Sequence, residues 1–340
     1  MAPVRKSFQT PFHQTIWDST SIKLLYECPQ KYYLTMIEGW TTTEQSVHLA
    51  FGAAVHSAIE AYEYAKVDGQ DPMMAMLDSL EASAQTLPKD PQGYKTLPNL
   101  FRTMIWYQEQ FKDDLFQTVI LANGEPAVEV SFKLPLDETY TLSGHLDKIV
   151  SLDDEWYIMD HKTSKASLGN YFFSKFANDI QFTVYAIAGH GLFPGKIKGI
   201  EINGMAVQKT QSVFARAQTR RDQSVLGEFL TEFSGKLRNE LAPYAKEAER
   251  RAGLNLDPAA AFPHNWTSCD KFGGCPFADI CKLAPDQRSR WLEGSFTRRQ
   301  ELWDPAVSRG RAATRAKEAP LRMAAILGSL EAIAEAKDDA

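Results

Sequence analysis

The segment LSGHLDKIVSLDDEWYIMDHKTSK, Leu142–Lys165, constrains the fold more than any other stretch of this sequence. Two short apolar runs flank an acidic turn, a pattern that predicts the two strands of a β-hairpin. Each run carries an aspartate where a buried strand is usually apolar, Asp147 in the first and Asp160 in the second. Lys162 follows Asp160 by two residues, so both side chains point to one side of the strand. The hairpin therefore places two acids and a lysine at interior positions.

Two carboxylates that share a site repel each other, so a divalent cation is their natural partner. Asp147 reaches the side of Asp160 and Lys162 if the hairpin register allows it. Mg²⁺ prefers hard oxygen ligands and keeps several waters, and a lysine beside it can orient or deprotonate an attacking water or offset the charge of a phosphate. This arrangement suits phosphodiester hydrolysis. The alternative is a surface hairpin in which Asp160 simply pairs with Lys162.

The rest of the chain alternates between helical and strand patterns. Helical spacing predicts helices over residues 18–37 (a second one opening at Pro29), 47–65, most of 71–121, and 176–192. Strand patterns cover residues 126–136, 140–150, 155–163 and 197–208. A long polar helix, a cysteine-rich loop and an Ala-rich C-terminal helix follow. This order predicts an α/β core with a helical N-terminal arm.

The charge of the chain argues against a general polyanion binder, since the net charge of the 340 residues is −6. A local basic groove is still possible, and basic residues do gather late in the chain. They are Arg288, Arg290, Arg298, Arg299, Arg309, Arg311, Arg315 and Lys317, with a smaller group at Lys209, Arg216, Arg220 and Arg221. A solvated helix face and a partner-binding helix are alternatives to a DNA contact.

The start of the chain, MAPVRKSFQTPFHQ, lacks the apolar core of a signal peptide. No apolar run approaches the length of a membrane helix. We therefore expect a cytoplasmic protein without a membrane partner.

The four cysteines are grouped rather than scattered. Cys269, Cys275 and Cys281 lie in the loop SCDKFGGCPFADIC, with five residues between neighbours, and Cys28 lies far upstream. Disulfides are uncommon in the cytoplasm. Four thiolates suit either a [4Fe–4S] cluster or zinc, and the tight C-x₂-C pairs of common structural zinc sites do not occur here.

The hairpin motif, GHLDKIV followed by EWYIMDHKTS, resembles the two central motifs of the PD-(D/E)XK nuclease superfamily. It is especially similar to the RecB-type exonucleases, which include CRISPR-associated RecB-like enzymes. Three more segments resemble family motifs in the expected order. They are FGAAVHSAIE for a G-x-x-x-H helix, EVSF for a strand with an acidic residue, and QFTVYAIA for a Q-x-x-x-Y helix. The resemblance runs from Ser21 to Cys281, and five weak motifs in order form a specific pattern.

The resemblance implies a role for each matching residue. Asp147 and Asp160 resemble the carboxylates that bind Mg²⁺ or Mn²⁺, and Lys162 resembles the catalytic lysine. His56 resembles a metal ligand contributed by a helix, and the backbone carbonyl of His161 completes the metal site.

Three further residues are implied at the edge of the same site. Glu129 resembles the acidic residue of the preceding strand, and it is expected to join the catalytic group. Gln181 and Tyr185 resemble the pair that holds the DNA strand or the geometry of the active-site strand.

The resemblance also implies the domain organisation. A restriction-endonuclease-like core, a mixed central sheet flanked by helices, is expected over residues 46–265, after an N-terminal helical segment over 1–45. The cysteine loop, residues 266–285, forms a C-terminal Fe–S cap, and residues 286–340 form a basic helical tail.

One early and three late cysteines resemble the iron–sulfur staple of RecB-like nucleases, including the AddB type. A [4Fe–4S] cluster is therefore the first expectation and zinc the second, although the gap of five residues departs from the shorter gap that is frequent in that family.

The implied function is a metal-dependent DNA exonuclease that hydrolyses single-stranded or frayed ends in recombination, repair, replication or phage DNA processing. Two alternatives stay open: a structure-specific endonuclease on the same core, and a DNA-binding or scaffold subunit active only with a helicase or recombination partner.

The segment after the catalytic strand offers candidate stacking residues for DNA, Tyr171, Phe172 and Phe173, with Lys165 and Lys175 near phosphates. Core packing is an equal alternative for the three rings.

Overall fold

The computed structural model describes residues 12–43, 46–85, 87–88, 93–271, 274–299 and 305. The chain forms two compact units, each assembled from separate stretches of sequence. Of the described residues, those in 12–43, 135–143 and 227–305 belong to the first unit, and those in 46–134 and 144–226 belong to the second. The division into four sequence segments stays a prediction.

Eleven helices and nine strands are present in the described residues. The helices are α1 (Ser19–Glu27), α2 (Pro29–Tyr32), α3 (Val47–Asp68), α4 (Pro72–Ala84), α5 (Leu97–Gln110), α6 (Asn170–Ser174), α7 (Ile180–Leu192), α8 (Gln223–Lys236), α9 (Ala242–Gly253), α10 (Ala278–Cys281) and α11 (Pro285–Ser295). The strands are β1 (Ile16–Trp17), β2 (Trp40–Thr42), β3 (Gln117–Thr118), β4 (Val128–Pro135), β5 (Thr141–Leu152), β6 (Glu155–Ser164), β7 (Ile197–Val207), β8 (Ser212–Thr219) and β9 (Phe296–Arg298). Single π-helical turns occur at Tyr33–Ile37 and Leu237–Leu241, and 3₁₀ turns at Pro258–Ala261 and Trp266–Ser268.

The second unit is built on a mixed sheet in the order β5-β6-β7-β8. The predicted hairpin is the antiparallel pair β5–β6, and β6–β7 is parallel, with α6 and α7 forming the crossover. Strands β3 and β4 also pair with β5. The predicted mixed sheet flanked by helices is therefore confirmed.

Strand β8 was not predicted. The sequence pattern predicted a long polar helix directly after the strand over residues 197–208. It pairs antiparallel with β7 along its whole length. Its sequence, SVFARAQT, is largely half-buried and carries polar side chains such as Arg216 and Gln218. Such a strand shows little apolar periodicity, because it lies at the end of the strand order where neighbours cover it on one side only.

Helices cover both faces of this sheet. Helices α3, α4 and α5 pack on one face through an apolar cluster that includes Phe51, Met76 and Leu100, together with Met205 on β7. Helix α7 packs on the other face, at Ile158 and Ile197. A Cβ atom at Gly189 of α7 would lie 2.7 Å from Ile158 Cδ1. The approach of α7 to the sheet therefore requires a glycine there.

The first unit has an aromatic core. Trp17 stacks on Tyr32 with ring centroids 5.3 Å apart, and the edge of Phe233 meets the Trp17 ring at 5.5 Å. Strand β1 pairs in parallel with the first residues of β5, and β2 pairs antiparallel with β9. The predicted Ala-rich helix, like Arg309, Arg311, Arg315 and Lys317, lies outside the described residues.

In the parts of the chain that the structure describes, no helix combines the length and the apolar character needed to cross a membrane.

Candidate active site

The two strands of the central hairpin separate at the predicted site. The β5–β6 ladder starts at the turn and ends at the pair Lys148 and Met159. Asp147 and Asp160 are the next residues beyond this last pair, one on each strand. Both are buried, with exposed fractions of 7% and 0%. The two carboxylates therefore lie where the backbone ladder no longer holds the strands together.

His56 and Glu129 complete a group of three ligand side chains with Asp147. His56 on α3 places Nδ1 3.4 Å from Asp147 Oδ2 and 3.6 Å from Glu129 Oε1. One donor atom from each residue lies within 4.8 Å of the others. An imidazole and two carboxylates at this spacing are a donor set for a divalent cation.

The backbone of Glu129 adopts a conformation that is unusual for a residue with a side chain. Its φ angle is +49°, although it lies in strand β4. Positive φ costs free energy for residues other than glycine, and such residues cluster at functional sites. The conformation accompanies the approach of the Glu129 carboxylate to His56.

Opposing effects set the protonation of His56. Burial lowers its pKa, but the carboxylates of Asp147 and Glu129 outweigh burial and raise the pKa to about 9. In the metal-free protein the imidazolium therefore supplies positive charge between the acids. Metal binding at this position requires His56 to lose its proton.

The His161 peptide groups hold both neighbouring ligands. Its N–H donates to Asp147 Oδ2 at 3.1 Å, and its carbonyl oxygen lies 3.2 Å from His56 Nε2. A metal-ligating histidine commonly donates its second ring N–H to a backbone carbonyl, which fixes the ring orientation. In this structure the His161 carbonyl thus orients His56 and leaves Nδ1 facing the two acids.

Asp160 and Lys162 belong to a network that reaches Asp147. Lys162 Nζ lies 2.7 Å from Asp160 Oδ2 and donates to Gln181 Oε1 at 3.0 Å. Gln181 Nε2 donates to Asp160 Oδ1 at 3.3 Å and to the Tyr185 hydroxyl at 3.0 Å. The Tyr185 hydroxyl donates to Asp147 Oδ1 at 3.3 Å. The network fixes the two aspartates relative to each other.

Helix α7 brings Gln181 and Tyr185 to this network together. Asp179 caps the helix by accepting from the Gln181 N–H at 2.7 Å. Residues four apart lie on the same side of a helix, so Gln181 and Tyr185 both face the aspartates.

The charges of the network favour a cation. Burial raises the pKa of Asp160 to about 6, against the influence of Lys162, and Asp147 raises it further. Burial lowers the pKa of Lys162, but Asp160 and Asp147 outweigh it and hold the pKa above its ordinary value. Asp160 Oδ2 ion-pairs with Lys162, yet among the described residues it accepts no well-aligned hydrogen bond. Hard oxygen donors with an incompletely satisfied carboxylate fit Mg²⁺ or Mn²⁺.

Sequence reasoning missed a polar group behind His161. Asn203 on β7 is fully buried and its Nδ2 lies 2.8 Å from His161 Nδ1 and donates to the Tyr107 hydroxyl at 2.8 Å. Arg216 donates to Asn203 Oδ1 at 3.3 Å and forms two hydrogen bonds with Asp114. An asparagine inside the apolar run IEINGMAV is the sequence signal that marks this group.

Several of the basic residues singled out from the sequence have structural partners. Arg216 pairs with Asp114, as above, and Arg288 donates to the carbonyl oxygens of Leu283 and Cys281. Arg298 donates to the Glu38 carbonyl oxygen at 2.8 Å. These contacts account for the three arginines without nucleic acid.

The first unit also contains all four cysteines, which are free thiols. The Asn265 N–H donates to Cys28 Sγ at 3.3 Å, and Cys269 Sγ lies 4.0 Å from Asn265 O. Burial raises the pKa of Cys281 to about 11, and Cys275, Cys28 and Cys269 raise it further. The four thiols thus lie near enough to repel each other as thiolates. This donor set fits a metal centre that neutralises them.

A profile of the PD-(D/E)XK nuclease superfamily matches residues 19–282, well over half of the chain. A comparison with curated proteins gave no match. Among solved structures, the crystal structure of SSO0001 matches with 13% sequence identity over 55% of this chain and 76% of that chain, with a TM-score of 0.26.

Proposed function

Because this chain belongs to the PD-(D/E)XK nuclease superfamily, whose members are metal-dependent nucleases, we propose that it is a DNA exonuclease acting on free single-stranded or frayed ends. One observation carries the proposal. The ligand group His56, Glu129 and Asp147 meets the pair Asp160 and Lys162 where β5 and β6 separate.

Each side chain has a part in phosphodiester hydrolysis. Asp147, Asp160, His56 and Glu129 are the residues that would hold Mg²⁺ or Mn²⁺. The bound ion would stabilise negative charge on the scissile phosphate and acidify a water. Lys162 carries a positive charge beside the same carboxylates, so it offsets the charge that develops on the phosphate.

Gln181 and Tyr185 position these groups rather than react. Gln181 bonds to Asp160, Lys162 and Tyr185, and Tyr185 bonds to Asp147. Contact with the DNA strand is a second role that the family resemblance supports for both residues.

Action on ends is supported by the similarity of the motifs to RecB-type exonucleases. The same similarity supports a biological role in recombination, repair, replication or phage DNA processing, alone or with a helicase or recombination partner. A structure-specific endonuclease would use the same residues, so the substrate assay must separate the two.

The four cysteines support a [4Fe–4S] cluster in the first unit, with a structural role. The tight C-x₂-C pairs of common structural zinc sites do not occur among the four cysteines, which favours the cluster over zinc. Hydrolysis itself requires no electron transfer.

The test is a gel assay on an end-labelled linear single strand and a closed single-stranded circle, with Mg²⁺, Mn²⁺ or EDTA. We expect metal-dependent loss of the linear strand with the circle intact, and no loss with the Asp160→Asn variant. Cutting of the circle would establish an endonuclease instead. No cleavage with any metal, by protein that carries its cluster, would favour the partner-dependent subunit.

A further inference from the structure

Helix α6 presents one tyrosine to solvent close to the end of the strand that carries Asp160 and Lys162. Tyr171 is 91% exposed, the largest exposed fraction of any large hydrophobic side chain that the structure describes. Its neighbour Phe172 is buried at 4% exposed. Core packing therefore accounts for Phe172, whereas Tyr171 has a face available to a ligand.

The position of Tyr171 relative to Lys162 is fixed by packed rings. The Phe172 ring centroid lies 5.3 Å from that of Phe176, which lies 5.4 Å from that of Phe182. The Lys162 ammonium lies 5.4 Å from the Phe182 ring centroid. The series of contacts joins α6 to Lys162, so the helix that carries Tyr171 has a fixed position relative to the proposed active site.

Close docking of α6 on the sheet depends on Gly204 of β7. A Cβ atom there would lie 3.2 Å from Phe172 Cε1 and 3.1 Å from Leu168 Cδ2. The absence of a side chain at this position lets Phe172 approach the strand. The packing of Phe172 and Leu168 against Gly204 therefore holds the short helix that carries Tyr171 in place.

The chain segment around Tyr171 is basic. Residues 163–178 include Lys165 and Lys175 and contain neither aspartate nor glutamate, whereas the Lys162 charge is paired with Asp160. Lys165 and Lys175 are exposed, and the Lys175 ammonium lies 4.4 Å from the Phe172 ring centroid. An exposed aromatic ring with cations beside it is the combination that binds single-stranded nucleic acid, because a base stacks while phosphates meet the lysines.

The polar neighbours of Tyr171 argue against a protein-docking patch. Asn170, Ser174 and Lys175 are exposed on the same short helix and its end, so polar side chains flank the Tyr171 ring along the chain. Protein interfaces usually use contiguous apolar area. One ring of this size matches one nucleobase.

We propose that Tyr171 stacks on an unpaired nucleobase of the substrate strand, with Lys165 and Lys175 near its phosphates. This inference rests on the proposed nuclease function and adds a specific contact for single-stranded DNA.

The test measures binding of a fluorescent oligothymidine by anisotropy in EDTA, so that binding is scored without cleavage. Stacking on one base by an aromatic side chain corresponds to roughly 5- to 150-fold in affinity. We expect Tyr171→Ala to weaken binding within this range and Tyr171→Phe and Tyr171→Trp to retain it. Trp106→Ala is the matched control, since Trp106 is an exposed ring on α5, on the opposite face of the sheet.

An abasic oligonucleotide completes the test. Without a base to stack on, it should bind wild type and Tyr171→Ala with similar affinity. Equal binding of oligothymidine by wild type and Tyr171→Ala would overturn the stacking site, and so would an equal loss on abasic and base-containing strands. Failure of the nuclease proposal is recorded separately, as absence of cleavage by wild type with metal present.

Discussion

The charged residues of the active site take their properties from their neighbours. Lys162 is held charged by Asp160 and Asp147 despite burial, and His56 is held charged by Asp147 and Glu129. The metal-free protein thus carries cations where a divalent ion would lie. His56 is itself one of the three clustered ligand side chains, with Glu129 and Asp147. Lys162 lies outside that group and donates a hydrogen bond to Gln181.

This difference predicts that Lys162 matters for turnover rather than for metal binding. Lys162→Met should lower kcat by about 100-fold or more, as expected when a charge that stabilises the transition state is removed. The affinity for Mn²⁺, measured by calorimetry, should stay close to that of wild type. Lys198→Met is the control, since Lys198 is exposed at the start of β7 and lies 3.7 Å from Glu155, at the turn end of the hairpin. A wild-type kcat in Lys162→Met would remove the catalytic role.

Gly52 lies one turn before His56 on α3, and the space that a side chain at Gly52 would occupy is empty. A Cβ atom there would meet no other atom within 4 Å. Gly52→Ala should therefore raise the free energy of unfolding by up to about 1 kcal/mol, because alanine is the better helix former. Since residues four apart share a helix face, the added methyl should also obstruct substrate beside His56 and raise KM.

Urea unfolding and steady-state kinetics check both parts of this prediction. Gly189→Ala is the contrasting variant, because its Cβ would lie 2.7 Å from Ile158 Cδ1. It should destabilise the fold by about 1–3 kcal/mol through overpacking. An unchanged KM in Gly52→Ala would show that substrate does not use the space in front of this helix.

At the scale of elements, strands β6 and β7 are tied by a buried polar contact behind the site. Asn203 on β7 faces His161 on β6, and Arg216 on β8 holds Asn203. The peptide groups of His161 contact Asp147 and His56 in turn. Through these contacts β6, β7 and β8 orient Asp147 on β5 and His56 on α3, the two proposed metal ligands.

Asn203→Ala should weaken Mn²⁺ binding by about 10- to 100-fold, the usual effect of removing a group that orients metal ligands. Gln218→Ala is the control, because Gln218 is an exposed polar residue on β8. Calorimetry on folded variants, checked by circular dichroism, provides the measurement. Equal Mn²⁺ affinity in wild type and Asn203→Ala would show that β6 holds the ligands without this contact.

A buried ion pair joins helix α3 to strand β5. Lys148 Nζ lies 2.6 Å from Glu63 Oε1, and both side chains are less than one tenth exposed. Burial raises the pKa of Glu63, but Lys148 outweighs it and lowers the pKa below the ordinary 4.5. The pair therefore contributes stability above pH 4.5, and the contribution is lost as the pH falls through the lowered pKa of Glu63.

Glu63→Gln should reduce the free energy of unfolding by about 3 kcal/mol at pH 7, because it leaves Lys148 buried without a counter-charge. The difference from wild type should shrink in acid, where Glu63 is protonated in both folded and unfolded chains. Urea unfolding over a series of pH values, from pH 7 to well below the lowered pKa of Glu63, tests the prediction. Glu109→Gln, which removes an exposed pair with Lys112, should leave the urea midpoint unchanged.

At the scale of the whole molecule, the first unit joins distant parts of the chain. Its described residues come from 12–43, 135–143 and 227–305. Cys28 lies within hydrogen-bonding distance of Asn265, and the Gln30 N–H donates to the Pro263 carbonyl oxygen at 3.1 Å. A centre bound by four cysteines would close this long loop of chain and stabilise the unit by limiting the unfolded state.

Cys275→Ser should therefore lose the visible absorption of an iron–sulfur centre and lower the thermal midpoint of unfolding. Metal analysis and absorption spectra of anaerobically purified protein provide the measurements. Wild type containing stoichiometric zinc and no iron would contradict the cluster. A full complement of iron in Cys275→Ser would remove that residue from the ligand set.

The sequence determined the features that depend on local periodicity. A strand repeats every two residues, so Asp160 and Lys162 had to share a side, and a helix brings residues four apart together, so Gln181 and Tyr185 had to share a face. The hairpin followed from these periods, whereas the mixed sheet and the grouping of His56 with Asp147 and Asp160 were implied by the resemblance of the ordered motifs to the PD-(D/E)XK superfamily.

Only the tertiary structure decided the features that depend on contacts between distant residues. The positive φ of Glu129 and the polar group around Asn203 have no local pattern that specifies their partners. Strand β8 was not predicted because a half-buried edge strand shows only weak alternation of apolar and polar residues. Likewise, the sequence presents Tyr171 and Phe172 as equivalent rings, and only the packing of Phe172 against β7 leaves Tyr171 exposed. Burial is a property of the assembled chain, because it is the neighbours supplied by the fold that remove a side chain from water.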